Sequence, residues 1–159
     1  MTRSIGALLP QSVSLLLDGR DLESKVGAAF VCLTATEAGW PYAAMVSVGE
    51  LLATGKSTLR LAIWSQSTTA ANLDRDGRCV LSLVHAGVSY QIRCEASAAG
   101  VIHWSDGPNL SVSELSVVDV LEDQAAYATL TSGISYKLHE PTVVLERWKD
   151  TIQVLRELN

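Results

Sequence analysis

Cysteine is scarce in this chain and poorly placed for structural chemistry. Only three occur in 159 residues, Cys32, Cys79 and Cys94, odd in number and far apart. A disulfide framework wants an even set in a short secreted chain, and a zinc site wants ligands paired a few residues apart; neither pattern is present. Each cysteine lies in an apolar, strand-like run, where a buried reduced thiol is expected. His85, His103 and His139 are equally dispersed, and none stands beside a cysteine or carboxylate at ligand spacing, so no metal centre is expected. Basic excess is also lacking. Twelve Lys and Arg against 17 Asp and Glu leave a net charge of −5, which argues against a nucleic-acid partner. No apolar run reaches the roughly 18 residues of a membrane span. The Ile5–Leu9 run is cut by Pro10 and is too short for a signal peptide. A soluble, cytoplasmic protein is the expectation.

What is present is apolar substance. Hydrophobic residues make up 48% of the chain and charged ones 18%, which excludes disorder. The length suits a single domain over residues 1–159, able to bury roughly 68–70% of its unfolded surface without a staple. So apolar a composition also points to surface covered by a second subunit.

Periodicity gives a mainly β chain with flanking helices. Pro10 to Leu17 reads as a short helix, Ala28 to Thr36 and Tyr42 to Val48 as a hairpin across Gly39-Trp40-Pro41, and Leu59 to Trp64 as a third strand. From Ser67 to Asp76 the period becomes helical, with Ser67 placed to cap and Gly77 to stop it. Cys79 to His85 and Ser89 to Ala98 form another hairpin around Ala86-Gly87, and a short strand follows at Ile102 to Ser105. Leu115 to Leu121 and Ile134 to Leu138 complete the strands, with a helical stretch from Asp123 to Leu130 between them. Val144, Trp148, Ile152 and Leu155 fall on one face of a final helix, which suits packing on the barrel or on a partner subunit; a ligand role for Trp148 is the alternative. Short strands without βαβ alternation indicate a small antiparallel barrel.

Two motif-like stretches carry no chemistry. Gly55-Lys56-Ser57-Thr58 resembles the tail of a phosphate-binding loop, but Glu50 stands where the first glycine is needed and Thr58 leads into a strand. There is no G-x-S-x-G elbow, and no nucleophile is set beside a base. More informative is Ser65-Gln66-Ser67-Thr68-Thr69, where four hydroxyls gather as a strand gives way to a helix. Such a corner offers free backbone N–H groups and the positive end of the helix dipole to a phosphate. Ordinary helix capping, which needs one hydroxyl, accounts for the same residues.

From Ala28 to Ala98 the chain resembles the pyridoxamine 5′-phosphate oxidase-like FMN-binding split-barrel family. Gly39-Trp40-Pro41 stands where that family has G-x-P between two strands. Ser67, followed by Asn72-Leu73 and by Gly77-Arg78-Cys79-Val80-Leu81, is similar to its S-R-K-x-x-x-L and N-P-R-hydrophobic runs. Tyr90-Gln91-Ile92-Arg93-Cys94-Glu95 looks like its R-Q-V-R-x-E strand. The resemblance implies a six-stranded antiparallel split β-barrel that forms a homodimer and holds FMN at the subunit interface. It implies that Ser67, Thr68 and Thr69 stand where the family grips the phosphate and that Gln91 contacts the flavin. Met45, Val46 and Ser47 then lie on the strand along the isoalloxazine, and Ile63, Trp64 and Ser65 on the strand end beside the ribityl phosphate.

The departures narrow what is implied. Thr68 and Thr69 replace the family's Arg and Lys, so two cationic phosphate ligands are lost; Arg78, Arg93, Lys137 or Lys56 could substitute, also from the second subunit. The C-terminal Trp and Arg motif that serves substrate in true pyridoxamine phosphate oxidases is not matched, so vitamin B6 oxidation is not expected. A flavin-dependent oxidoreductase of unassigned substrate is the reading, with no side chain nominated as acid or base. The alternative is a non-catalytic module that binds or senses flavin, the deazaflavin F420 or haem.

Overall fold

The computed structural model describes all 159 residues. In chain order it has β1 (Thr2–Ser4), α1 (Gln11–Leu16), a 3-10 turn (Leu22–Lys25), β2 (Ala29–Ala35), β3 (Pro41–Ser47), β4 (Leu51–Ala53) and β5 (Thr58–Trp64). After these come α2 (Thr68–Asp76), β6 (Arg78–His85), β7 (Val88–Ile102), β8 (Leu110–Asp123) and α3 (Pro141–Glu157). One antiparallel sheet runs β3-β2-β6-β7-β8-β5-β4, with β1 added to β8. The six expected barrel strands are the six of seven residues or more; β1 and β4, of three residues each, are additions.

Alternation along the strands sets the core. Phe30, Cys32, Leu59, Leu61, Leu81, Ile92 and Leu115 turn inward and are almost fully buried. The barrel is stoppered at both ends of β5. Near its start, Leu9 and Leu17 of the α1 region hydrogen-bond to the β4–β5 hairpin, Leu9 N–H donating to Lys56 O at 2.8 Å and Ala53 N–H to Leu17 O at 2.8 Å. At its finish, α2 buries Thr69, Asn72 and Leu73, and Asn72 Nδ2 donates to Thr34 Oγ1 at 3.0 Å. The Gly55-Lys56-Ser57 stretch is a turn between two strands, as its context predicts.

Both ends of α2 form as the sequence requires. Ser67 Oγ accepts from Ala70 N–H at 3.1 Å, and Gly77 closes the helix at φ +71, a left-handed conformation that glycine adopts without Cβ strain. In α3, Pro141 opens the helix and Trp148, Thr151, Ile152 and Leu155 are buried against the barrel. Arg60 holds its far end: the guanidinium donates to Leu155 O at 2.6 Å and Leu158 O at 2.7 Å while pairing with Glu114 at 2.8 Å across β5–β8. A cation on the last carbonyls of a helix also opposes its dipole.

Four expectations are corrected. No helix forms over Asp123–Leu130: residues 124–130 are exposed on every side, and helix propensity cannot hold a short helix that has no apolar face to bury. Ile134–Leu138 is not a ladder strand but a loop with one isolated bridge, Ser135 to Ala28. Ile102–Ser105 is not a separate strand, because β7 runs unbroken to Ile102; Ala98-Ala99-Gly100 is a bulge at which the long strand bends, with Gly100 at φ +133. Finally, β8 begins at Leu110, ahead of the expected Leu115.

The three cysteines prove to be neighbours. Cys79 and Cys94 are register partners across β6–β7, and Cys32 lies on the adjoining strand; all are free thiols and buried. The Cys79 thiol and burial push the Cys32 pKa strongly upward. For Cys79 the Cys32 contact lowers the pKa, but the Cys94 thiol and burial outweigh it and bring the group to about 12.

Candidate functional site

The outward side chains of β3, β2, β6 and β7 make an open face that no helix covers. Register places Met45, Val31, Ser82, Gln91 and Leu121 in one cross-strand row. Two of the candidate residues, distant in sequence, are thereby set on one surface, roughly 14 Å apart at three strand spacings. Met45 is 65% exposed, an unusual fate for methionine in the middle of a sheet face. The next row contains Ala43, Leu33, Val80, Arg93 and Asp119. Here the face hollows into a groove of about 440 Å³ in which Leu33, Val80 and Val118 lie among Arg78, Arg93 and Glu95. Arg78 pairs with Asp76 at 2.8 Å and holds that carboxyl below its ordinary pKa, whereas Arg93 makes no ion pair within the subunit.

At the end of β5 the hydroxyl cluster divides. Ser67 caps α2, and its own N–H donates to Trp64 O at 3.0 Å. Ser65 Oγ accepts from Ser111 Oγ at 2.9 Å. Thr69 is 2% exposed and belongs to the stopper of the barrel, while Thr68 is exposed. The backbone N–H groups of Thr68 and Thr69 have no acceptor in the chain. Ile63 is half-buried beside its register partner Ser111, and Trp64, 51% exposed, lies opposite Leu110. Of the proposed replacement cations, Lys56 stands at the far end of β5 from this corner, and Lys137 lies in the exposed segment after β8.

The other end of the candidate strand borders an open pocket. Val46 is buried in the core, and Met45, Val46 and Ser47 together help to line a cavity of about 250 Å³ with Ala29, Glu50, Tyr136 and Trp148. Glu50 Oε2 accepts from Ser47 N–H at 2.8 Å and Ser47 Oγ at 3.1 Å. Burial raises the Glu50 pKa above the usual carboxylate range, and the two Ser47 bonds only partly oppose it. The Tyr136 hydroxyl is sealed from solvent with no hydrogen-bond partner, and burial raises its pKa too. Trp148 reaches the cavity because Gly49 has no side chain: a Cβ there would come within 1.9 Å of the indole.

No family model matches the chain. It is 38% identical over 141 residues to the uncharacterised protein YclD of Bacillus subtilis, an alignment covering 89% of this chain and 91% of that one. The chain belongs to the YclD family. Among solved structures, this YclD relative is similar to a provisionally assigned pyridoxamine 5′-phosphate oxidase of Lactobacillus delbrueckii, with a TM-score of 0.56 and 13% identity over 74% of this chain and 98% of that one. HupZ of Group A Streptococcus matches with a TM-score of 0.54 and 13% identity, over 82% of this chain and all of the other at 100%. An F420 reductase gives 0.51 and 10%, over 70% and 98%. At such identities the likeness establishes the fold: this is the split barrel of the pyridoxamine 5′-phosphate oxidase-like proteins.

In this YclD-family chain the ten candidate residues occupy three places and not one cavity: the β5–α2 corner, the open row with Met45 and Gln91, and the cavity that Met45 and Ser47 share. Sequence reasoning passed over Glu50 and Tyr136. Glu50 entered only as a non-glycine in a failed motif, and Tyr136 lay in a presumed strand. A signal was available for Glu50, since a carboxylate between Val48-Gly49 and Leu51-Leu52 is an anomaly in an apolar run. None was available for Tyr136, which is positioned by the loop bonds Tyr136 N–H to Gly27 O at 3.2 Å and Ala29 N–H to Ile134 O at 3.3 Å.

Proposed function

We propose that this protein is a homodimeric flavoprotein that binds FMN on the open β3-β2-β6-β7 face and acts as a flavin-dependent oxidoreductase. The observation that carries the reading is the cross-strand row in which Met45 and Gln91 share an uncovered, largely apolar surface. Such a surface fits a flat ring that is apolar on its faces and hydrogen-bonding at its rim. In a monomer the same face would leave Met45, Val31 and Leu33 to water, which favours a second subunit laid over it. The phosphate fits the start of α2, where Thr68 contributes a hydroxyl and Thr68 and Thr69 contribute free N–H groups. Flavin, when bound, supplies hydride or single-electron transfer. The protein's part is to position it: Gln91 donates to or accepts from its rim, Met45 packs on the ring, and the partner subunit excludes water.

A second reading has its own support. Thr68 and Thr69 stand where the resembling family has Arg and Lys, so a weaker or different ligand, such as F420 or haem held without turnover, fits a non-catalytic module. Mass spectrometry of the ligand released on denaturation separates these cases. FMN, with about one per subunit on titration, supports the first; F420 or haem supports the second; a protein that takes up none of the three defeats both. Thr68→Val should weaken FMN about tenfold and leave riboflavin, which lacks the phosphate, unchanged. Sedimentation at micromolar concentration should give a dimer, with an interface above about 1,000 Å².

A further inference from the structure

The groove of about 440 Å³ on the open face holds a cation that the chain does not use. Two arginines line it from neighbouring strands, and their forks differ. The fork of Arg78, at the start of β6, is filled by Asp76: Nη2 donates to Oδ1 at 2.8 Å and Nε to Oδ2 at 3.2 Å. Arg93, on β7, is exposed and makes no ion pair in the subunit. Its register partner on β8, Asp119, is engaged instead by Ser4 Oγ at 2.5 Å. A guanidinium carries its N–H donors in a rigid plane, and two of them match the two oxygens of a carboxylate. On the side away from Asp119 the row is apolar, with Val80 and then Leu33 in register, and Val118 adds a third apolar wall. The hollow falls within the roughly 300–1,000 Å³ of small-molecule sites. A flat protein surface laid over this face would leave it unfilled, whereas the cores of subunit interfaces pack as densely as interiors.

We propose that this groove binds a small monocarboxylate with an apolar body, its carboxylate forked on Arg93 and its body against Leu33, Val80 and Val118. Asp76 and Glu95 line the same groove and repel a second negative charge, which disfavours a phosphate or a dicarboxylate. Gln91 stands two residues before Arg93 on the same face, about 7 Å away, so the ligand lies beside the Met45–Gln91 row. Binding of the carboxylate needs no flavin; that it is the substrate rests on the flavin reading. The FMN phosphate is a separate anion in that reading. It meets α2 at Thr68, whereas the groove is bordered by Asp76 at the other end, about 12 Å along the helix.

The test uses 2-naphthoate as the probe and 2-naphthamide, its neutral counterpart of the same shape, as control. Binding is followed by saturation-transfer NMR and calorimetry on the full-length protein. Naphthoate should bind at least about tenfold more tightly than naphthamide. Arg93→Gln should remove about tenfold from naphthoate and nothing from naphthamide, whose unchanged binding also shows that the groove is intact. Arg93→Lys, which keeps the charge and loses the fork, should fall between wild type and Arg93→Gln. Equal affinities for the two probes, or no binding of either, would overturn the proposal. So would an Arg93→Gln protein that keeps its naphthoate and loses its dimer in sedimentation, because the guanidinium would then serve a carboxylate of the second subunit. Simultaneous binding of naphthoate and FMN supports a separate site. Displacement of naphthoate by FMN but not by riboflavin overturns it, since Arg93 would then hold the flavin's phosphate, and the flavin reading would survive. Failure of FMN to bind while naphthoate still does leaves the carboxylate site standing and removes the flavin reading.

Discussion

The start of α2 and the turn after β3 are both polar corners at a strand end, yet they treat their polar groups in opposite ways. At α2 the hydroxyls satisfy the chain itself: Ser67 caps the helix, Ser65 bonds Ser111, and Thr69 is buried in the stopper. Only Thr68 and two backbone N–H groups remain for a visitor. At the β3–β4 turn a carboxylate and a phenol meet at one cavity, where Ser47 serves the carboxylate and the phenol hydroxyl is left buried without a partner. Density of polar residues in the sequence is therefore a poor guide to unused polar capacity in the fold. The corner with four hydroxyls is largely self-sufficient, and the corner with one carboxylate is not.

The sharpest way to break this comparison is at Gly49. A Cβ there collides with Trp148, so Gly49→Ala should cost about 3 kcal/mol in chemical denaturation and open the cavity as the indole moves. Pairing it with Trp148→Ala should cost less than the sum of the two single changes, because both act on one contact. A Gly49→Ala protein of wild-type stability would mean that the wall yields easily and that the cavity is not a built feature. Next in size is Ser67→Ala, expected to lose about 1 kcal/mol of stability through the missing cap. FMN affinity in that variant should change less than in Thr68→Val, since the Ser67 oxygen is already engaged. If the order were reversed, the corner would hold its ligand through Ser67 and would not be self-sufficient.

The smallest effect is one of slope. Burial raises the Glu50 pKa in the folded protein above its value in the unfolded chain, so ionising it costs stability. Its contribution is intact below the ordinary carboxylate pKa of about 4.3 and declines as pH rises through the higher folded value. Glu50→Gln abolishes that decline. The melting temperature of the variant should therefore gain on the wild type as pH is raised from below 4 toward neutrality, and the difference should level off above the folded pKa. Parallel curves across that range would place Glu50 in a watery setting and remove one side of the contrast.

The barrel was legible in the sequence because alternation and glycine punctuation both act locally. β2, β3, β5 and β6 begin and end within two residues of where the pattern puts them, and Ser67 and Gly77 bound α2 as expected. Reading failed where a local signal is ambiguous. Ala98-Ala99-Gly100 serves equally as a turn or as a bulge, and only the continuous ladder with β8 decides for the bulge. Alanines after Asp123 favour a helix, but nothing there has a core to face. The candidate site was half legible for a related reason. Met45 and Gln91 come from a family pattern that strand register then set on one face. The cavity, by contrast, is assembled from β2, β3, a turn, a loop and α3, and no window of sequence contains it.

The thiols of Cys32, Cys79 and Cys94 give the barrel a clock. With Cys79 near pKa 12 and Cys32 also pushed upward, these two thiols are almost wholly un-ionised at neutral pH, and all three cysteines are buried where no reagent reaches them. They span three neighbouring strands, so all become available only when β2, β6 and β7 part. The rate at which a thiol reagent labels the native protein then measures how often the barrel opens, and a ligand or a second subunit that clasps the β3-β2-β6-β7 face should slow that labelling in proportion to its occupancy.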